Sequence, residues 1–169
     1  MHRLLAFGAP VFTLCRQQWV PQPVDEAFPF FENPRNLSRI TPRSLDFRIK
    51  EMKPEFIREG TLITYRLRSF GVPYTWRTLI AEWVPGERFV DTQIQGPYIL
   101  WRHTHTFEAC QGGALFTDRV EYRLPFGPIG VLLHGLLIRR QLTAIFDYRA
   151  LMIADLLSNG ELHISPPQC

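Results

Sequence analysis

The sequence lacks the features that mark membrane-spanning and metal-clustered proteins. No stretch approaches the roughly 20 apolar residues that a helix needs to cross a bilayer, so we expect no transmembrane segment. Only three cysteines are present, Cys15, Cys110 and Cys169, and they are too far apart for a zinc-binding motif. This scarce and scattered cysteine content predicts a protein of the reducing cytoplasm.

Clustered positive charge is also missing. The chain has 19 Lys and Arg against 16 Asp and Glu, a net charge of +3, and its arginines are spread out apart from the doublet Arg139–Arg140. Nucleic-acid binding requires a concentrated basic face. We therefore predict no nucleic-acid partner.

No internal repeat or linker divides the 169 residues. A chain of this length buries about two-thirds of the surface that its unfolded form exposes, so we predict one domain, residues 1–169, with a core at about 11–158. Hydrophobic residues make up 46% of the chain, and 13 of its residues are Phe. That aromatic content is typical of a β-rich core and equally of an apolar pocket.

The first part of the chain predicts a strand followed by two short helices. Residues Val11–Val20 are largely β-formers and end at "PQP". Asp25 and Glu26 suit a helix N-terminus, and the prolines at 34 and 42 interrupt the segment that follows. The predicted helices are Val24–Phe31 and Pro34–Ile40.

Six further strands are predicted from alternating apolar and polar residues. They are "SLDFRIKEM", "GTLITYRLRSF", "YTWRTLIAEWV", "RFVDTQI", Tyr98–Ala109 and "ALFTDRVEYRLPFG". The turns between them include Gly71–Pro73, Pro85–Gly86 and Gly112–Gly113. Consecutive strands with such short connections form an antiparallel meander.

A long helix follows the last strand. It begins at Pro128, where proline is tolerated in the first helical turn, and runs to a C-cap at Asn159–Gly160. At about 30 residues it is roughly 45 Å long, enough to cover the apolar face of the sheet. The tail "ELHISPPQC" is expected to be loosely ordered. Together the elements predict an α+β fold.

This order of elements resembles the helix-grip fold of the START-like superfamily, also called SRPBCC, which includes pollen-allergen proteins, polyketide cyclases and coenzyme Q-binding proteins. The segments "FFENPRNLSRITP", "PGERFVDTQIQGPYILWRHTHTF" and "RRQLTAIFDYR" are similar to those of a bacterial ligand-binding SRPBCC subfamily. A related domain occurs fused to nucleotide-sugar-epimerase-like proteins.

The resemblance implies a curved seven-stranded antiparallel sheet around the C-terminal helix, with the two short helices between strands 1 and 2. It also implies a cavity between sheet and helix that takes up apolar or amphipathic molecules such as lipids, sterols and polyketides.

The segment "GPYILWRHTHTF" brings two histidines to one face of a strand, because alternate side chains of a strand point the same way. The inward residues that we predict on this strand and the next are Ile99, Trp101, His103, His105, Phe107, Phe116, Asp118, Val120, Tyr122 and Leu124. With Gly112–Gly113 as the turn, Asp118 lies diagonal to His105. A register shifted by one pair places the two directly opposite.

Three roles fit the polar set His103, His105, Asp118 and Tyr122. These residues satisfy one another's buried hydrogen bonds, orient a ligand, or act as catalytic acid and base. Histidines with a carboxylate also suit a metal, but no further ligand is aimed at this face, so we predict no metal and no cofactor. Asp91 is predicted to form a surface salt bridge across the sheet, with Arg77 as its partner.

We therefore predict binding of a hydrophobic or amphipathic small molecule. The predicted ligand-binding residues are Tyr65, Trp76, Trp101, His103, His105, Phe116, Asp118 and Tyr122. One alternative is a cyclase or dehydratase that uses the polar set, and another is a protein-interaction module without a working cavity. The apolar segment "GPIGVLLHGLLI" fits either a cavity mouth or a homodimer interface.

Overall fold

The computed structural model describes residues 9–157 and has the predicted order of elements. Strand β1 (Phe12–Val20) precedes helices α1 (Val24–Glu32) and α2 (Pro34–Arg39) and a short 3-10 helix at Arg43–Leu45. The remaining strands are β2 (Arg48–Lys53), β3 (Leu62–Ser69), β4 (Val72–Val84), β5 (Arg88–Gln95), β6 (Leu100–Cys110) and β7 (Gly113–Arg123). The predicted C-cap and tail lie outside the described residues.

The seven strands form one antiparallel sheet in the order β1-β7-β6-β5-β4-β3-β2. Strands β2 to β7 are neighbours in the sheet in the order of the chain, as a meander requires, and β1 pairs with β7 at the edge of the sheet. Register shifts interrupt the β2–β3 pairing and, twice, the β4–β5 pairing. Such irregularities bend a strand, so the sheet curves around the helix, and the predicted helix-grip architecture is confirmed.

The C-terminal helix consists of three consecutive segments: α3 (Gly127–Leu133), a π-helical segment (His134–Ile138) and α4 (Arg139–Leu157). Residues of α4 are buried within the apolar core: Leu142, Phe146 and Ile153. This second half of the helix is therefore the part that the sheet grips.

The same helix corrects the expectation that no segment is apolar enough to span a bilayer. By length and composition alone, Gly127–Leu156 reaches that level, with a mean hydropathy of 1.3 in its most apolar window. The helix has no uninterrupted run of about 20 apolar residues, but its mean hydropathy over a window stays high even with Arg139 and Arg140 included. Length and composition are weak grounds for a membrane span, because α4 carries core residues of this domain.

The β6–β7 hairpin has a different turn from the predicted one. Gln111 and Gly112 form it, both with positive φ, at 48° and 77°, whereas Gly113 already belongs to β7. A Cβ atom at Gly113 would clash with a backbone carbonyl oxygen of β1, so this glycine is needed for close packing. The register is consequently the shifted one, in which His105 lies directly opposite Asp118.

Two apolar clusters fill the space beneath the sheet. The first contains Leu14, Ile63, Tyr65, Trp76, Ile80, Trp101, Val120, Tyr122, Leu142 and Phe146. The second contains Val20, Ala27, Phe28, Ile40, Phe89, Phe107, Ala114, Phe116 and Ile153. Along β6, Trp101 belongs to the first cluster and Phe107 to the second, so His103 and His105 lie between them.

Candidate functional site

A pocket of about 380 Å³ lies between the sheet, α2 and the C-terminal helix. Strands β3 to β7 contribute its lining on the sheet side. Most of the lining side chains are apolar or aromatic, among them Ile63, Leu67, Ile80, Leu142, Ile145 and Phe146. The volume falls within the roughly 300 to 1,000 Å³ that is usual for small-molecule sites.

Four ionisable side chains of the pocket wall form one connected group. Asp91 comes from β5, His103 and His105 from β6, and Asp118 from β7, and we call them the His–Asp cluster. The sheet register brings them together, because Asp91 pairs with His103, and His105 with Asp118, on adjacent strands. Alternation then directs all four side chains to the inner face.

Each carboxylate of the His–Asp cluster contacts both imidazole rings. Oδ1 of Asp118 lies 2.9 Å from Nε2 of His103 and 2.8 Å from Nδ1 of His105. Oδ2 of Asp91 lies 3.1 Å from Nε2 of His105 and 3.5 Å from Nδ1 of His103. His105 thus bridges the two carboxylates, whereas His103 hydrogen-bonds Asp118 and only approaches Asp91.

The two histidines have pKa values shifted in opposite directions. Burial lowers the pKa of His103, and the neighbouring charge of His105 lowers it further, against the effect of Asp118. Burial also opposes protonation of His105, but Asp118 and Asp91 outweigh it and raise the pKa of His105 above its ordinary value of 6.5. The ring centroids are only 3.7 Å apart, so two positive rings would repel each other strongly. The cluster therefore favours one imidazolium, at His105, and one neutral imidazole.

Both carboxyl groups remain ionised. Burial raises the pKa of Asp118, but the charges and hydrogen bonds of His103 and His105 outweigh it and hold that pKa well below its usual value. Burial acts in the same way on Asp91, and the pKa of Asp91 is nevertheless lowered, chiefly by the hydrogen bond with His105. Such charges are stable in an apolar site only because each has a partner.

Arg149 on α4 adds a positive charge to the same wall. It lines the pocket and contributes to lowering the pKa of Asp91. Its guanidinium carbon lies 5.0 Å from the centre of the Phe146 ring, within the range of a cation–π contact. Its buried Nε has no hydrogen-bond partner within the part of the chain that the structure describes.

A second polar point of the wall is built around Thr78. Its hydroxyl oxygen accepts a hydrogen bond from Nε1 of Trp76 at 2.9 Å, and Tyr65 lines the pocket beside them. Burial raises the pKa of Tyr65, so its side chain remains a neutral phenol. A phenol hydroxyl on an otherwise apolar wall can donate a hydrogen bond to an oxygen of a ligand.

Six of the eight predicted ligand-binding residues line the pocket: Tyr65, Trp76, Trp101, His103, His105 and Asp118. Phe116 instead packs against the ring of Phe31, with centroids 5.3 Å apart. The Tyr122 hydroxyl lies 2.9 Å from Nε2 of His134. The structure therefore brings His103, His105 and Asp118 together and places Tyr122 in a separate contact with the C-terminal helix.

Asp91 belongs to the His–Asp cluster, although the sequence-based prediction paired it with Arg77. In the structure Arg77 lies opposite Gln95, and Asp91 points to the inner face. The available signal was alternation along β5, because Asp91 follows the buried Phe89 by two residues. A carboxylate on an inner face next to His103 is a better site candidate than a surface ion pair.

The His–Asp cluster also contains metal-ligating atoms. One such atom each from Asp91, His103 and His105 lies within 4.8 Å of the others, and two histidines with one carboxylate suit zinc or iron. Hydrogen bonds already join the atoms of Asp91 and His105. That the protein works without a metal stays a prediction.

No protein-family profile matches the chain, and no curated protein matches it in sequence. Solved structures do match its fold. The di-domain ARO/CYC StfQ of the steffimycin biosynthetic pathway is 18% identical with a TM-score of 0.71, over 88% of this chain and 51% of that one. The present chain thus spans about half the length of StfQ.

Two further structures have the same architecture. A truncated norcoclaurine synthase from Thalictrum flavum is 13% identical, with a TM-score of 0.67 over 91% of this chain and 98% of that chain. A nucleoside-diphosphate sugar epimerase from Corynebacterium glutamicum is 23% identical, with a TM-score of 0.61 over 86% of this chain and 29% of that chain. These likenesses establish the helix-grip fold, and the bacterial subfamily stays a prediction.

Proposed function

We propose that the protein binds a hydrophobic or amphipathic small molecule, lipid-, polyketide- or isoprenoid-like, between the sheet and the C-terminal helix. The observation that carries the proposal is the pocket of about 380 Å³ with its mainly apolar lining. Side chains around an empty apolar volume lose packing contacts. A bound apolar molecule would restore those contacts and stabilise the folded state.

The distribution of polar groups favours an amphipathic ligand over a pure hydrocarbon. Asp118 and Asp91 hold His105 in place, so the His–Asp cluster is a rigid polar point rather than a mobile one. Next to it, the Nε of Arg149 is an unused donor among the described residues, and a ligand oxygen would satisfy it. We expect the oxygen-bearing end of the ligand at this wall and its apolar body along Leu142 and the neighbouring side chains.

Native mass spectrometry of the purified full chain tests this proposal. Ile145 lines the pocket, whereas Ala144 is its exposed neighbour on α4, so Ile145→Trp fills the pocket and Ala144→Trp is the matched control. We expect a lipid-like molecule to be retained by the wild type and by Ala144→Trp and to be lost from Ile145→Trp. Equal retention by all three proteins, or retention by none, would contradict the proposal.

A second candidate function is enzymatic, of the cyclase or dehydratase type. The opposite pKa shifts of His105 and His103 favour it, because dehydration needs both an acid and a base. A neutral His103 would accept a proton at Nδ1 from a carbon next to a carbonyl. The protonated His105 would give its Nε2 proton to the hydroxyl that leaves as water, with that hydroxyl replacing the 3.1 Å contact to Asp91. The fold likeness to StfQ, an ARO/CYC protein, supports the same candidate.

Turnover of the ligand identified by mass spectrometry separates this candidate from simple binding. His105→Ala and Asp118→Asn remove the acid and its anchor, and we expect either change to abolish product formation if the protein is an enzyme. Unchanged turnover in both variants would exclude the His–Asp cluster from catalysis.

The open pocket weighs against an interaction module that lacks a cavity. The proposal also includes a cytoplasmic location, function without a cofactor and the alternative of a homodimer. The lining of the pocket supports the ligand class, whereas these further points rest on the sequence.

A further inference from the structure

One end of the molecule exposes an exceptional number of large apolar side chains. This apolar end comprises the β3–β4 turn, the β5–β6 turn, the start of β1 and residues 126–137. Of the exposed large hydrophobic side chains among residues 9–157, only Phe56, Leu62 and Leu151 lie elsewhere. The others are Val11, Phe70, Val72, Ile94, Ile99, Leu100, Phe126, Ile129, Val131, Leu132, Leu133, Leu136 and Leu137.

Strand topology explains why these segments meet. In an antiparallel meander, every second turn lies at the same end of the sheet. The turns after β3, β5 and β7 therefore share one end, and Phe12 at the start of β1 pairs with Tyr122 near the end of β7. The C-terminal helix begins there as well.

The first half of the C-terminal helix presents its apolar residues away from the sheet. Only one stripe faces the domain: Gly130 is buried, and His134 and Ile138 are half-buried. On an ordinary surface helix the opposite side is polar, but here Ile129, Leu132 and their neighbours are exposed. Only 17% of the most apolar window is buried, so this face has no protein partner within the described residues.

Positive charges outnumber negative charges at the apolar end. Five arginines lie in or near its segments, and Glu121, which lies directly opposite Arg102 on β7, is the acidic residue beside them. These cations are Arg68, Arg102, Arg123, Arg139 and Arg140. Arg139 and Arg140 are exposed and follow the apolar half of the helix directly. Exposed apolar side chains bordered mainly by cations complement a surface that is apolar inside and negatively charged at its boundary.

We propose that the apolar end docks on an anionic lipid bilayer. The helix between residues 127 and 138 lies in the interface with Ile129 and Leu132 among the acyl chains, as amphipathic interfacial helices do. Arg139 and Arg140 contact the anionic headgroups. The protein is held on one leaflet and does not span it, because α4 remains packed in the domain.

The pocket reaches the same end of the molecule. Phe70 and Pro97 belong both to this end and to the pocket lining, and Leu124 and Ile138, which flank residues 126–137, line the pocket as well. If the pocket binds a lipid-like molecule, a point that rests on the proposed function, docking lets that molecule pass between bilayer and pocket without crossing water. Docking itself requires only the apolar end and its arginines.

Vesicle co-sedimentation of the full chain tests the docking. We expect binding to phosphatidylcholine vesicles that contain phosphatidylglycerol, and much weaker binding to phosphatidylcholine alone. The double variant Ile129→Glu, Leu132→Glu should lower binding more than about tenfold. Arg139→Gln and Arg140→Gln should each lower binding to the anionic vesicles about fivefold. Phe56→Glu, at a 58% exposed position on the opposite end, is the control that should bind like the wild type.

Each other result overturns the proposal. If the wild type ignores both vesicle types while Ile129→Glu, Leu132→Glu converts a dimer to a monomer in sedimentation analysis, the apolar end is the interface for a second copy. If the protein resists extraction from the vesicles at alkaline pH, the helix spans the bilayer. Ile145→Trp keeps the docking test independent of the pocket, because it should lose the retained ligand and still bind vesicles.

Discussion

His103 and His105 are neighbouring rings of one chemical type whose pKa values the fold shifts in opposite directions. The difference arises because His105 is hydrogen-bonded to two carboxylates and His103 to one. Phe89 stacks on His105 at 4.0 Å between centroids, and Phe146 packs edge-on against His103 at 5.4 Å. These apolar rings exclude water and make the hydrogen bonds of the cluster electrostatically strong.

The first prediction concerns the titration of this pair. The two rings should titrate as a coupled pair, one step above and one below the ordinary pKa of 6.5. Nitrogen-detected NMR of the imidazole rings, assigned with His103→Gln and His105→Gln, measures both steps. Two independent titrations near 6.5, or both steps below it, would disprove the assignment.

The second prediction concerns stability. Asp118→Asn leaves the imidazolium of His105 with one carboxylate in a buried site, and removing one member of a buried ion pair costs about 3 to 5 kcal/mol. In the wild type, Asp118 stabilises the folded state above pH 3.8, the pKa of its carboxyl group in the unfolded chain, and this stabilisation is lost as the pH falls through the lower pKa of the folded state. His105 stabilises the folded state below pH 6.5, and this stabilisation is lost as the pH rises through its raised pKa in the folded state.

The difference in unfolding free energy between wild type and Asp118→Asn should therefore be complete between about pH 3.8 and 6.5 and shrink on both sides. Denaturant unfolding from below pH 3.8 to above pH 6.5 measures it. The control is Asp147→Asn, which breaks an exposed ion pair of 3.1 Å with Arg16 and should cost at most about 1 kcal/mol. A flat pH dependence, or equal costs in both variants, would be inconsistent with a buried charged cluster.

At the scale of elements, alternation predicted the inner faces and turn chemistry did not predict the registers. The inward sets on β6 and β7 follow from a period of two residues, which any register preserves. The register itself depends on which residues form the turn, and Gln111 is a rare non-glycine residue at positive φ. The β3–β4 turn is likewise at Phe70–Gly71 rather than at Gly71–Pro73, again with a non-glycine residue at positive φ.

Glycine substitutions distinguish a glycine that a turn requires for its positive φ from a glycine that the helix does not require. Gly112→Ala should destabilise the protein by about 1 to 2 kcal/mol, because its φ of 77° is unfavourable for a residue with a Cβ. Gly135→Ala, on the helix with nothing within 4 Å of the added Cβ, should stabilise it by about 0.5 to 1 kcal/mol. Urea denaturation of both variants measures the difference, and effects of equal sign would contradict the turn assignment.

At the scale of the molecule, the order of elements predicted a meander covered by one long helix, because these elements leave few ways to cover an apolar face. The family resemblance supplied the helix-grip architecture. The pocket could not be predicted with the same detail. Whether aromatic residues fill a core or line a space depends on three-dimensional distances, as the separation of Tyr122 and Phe116 from the pocket illustrates. Asp91 is part of the site because the pairing of β5 with β6 places it beside His103.

The central claim is that the pocket accepts one hydrophobic or amphipathic molecule, and indole NMR of the full chain tests it most directly. Trp76 and Trp101 line the pocket, whereas Trp19 and Trp83 do not, so the four indole N–H signals contain their own control. Titration with decan-1-ol should shift the signals of Trp76 and Trp101 to saturation at one molecule per chain and leave the other two unchanged. Small, unsaturated shifts of all four signals would contradict the account.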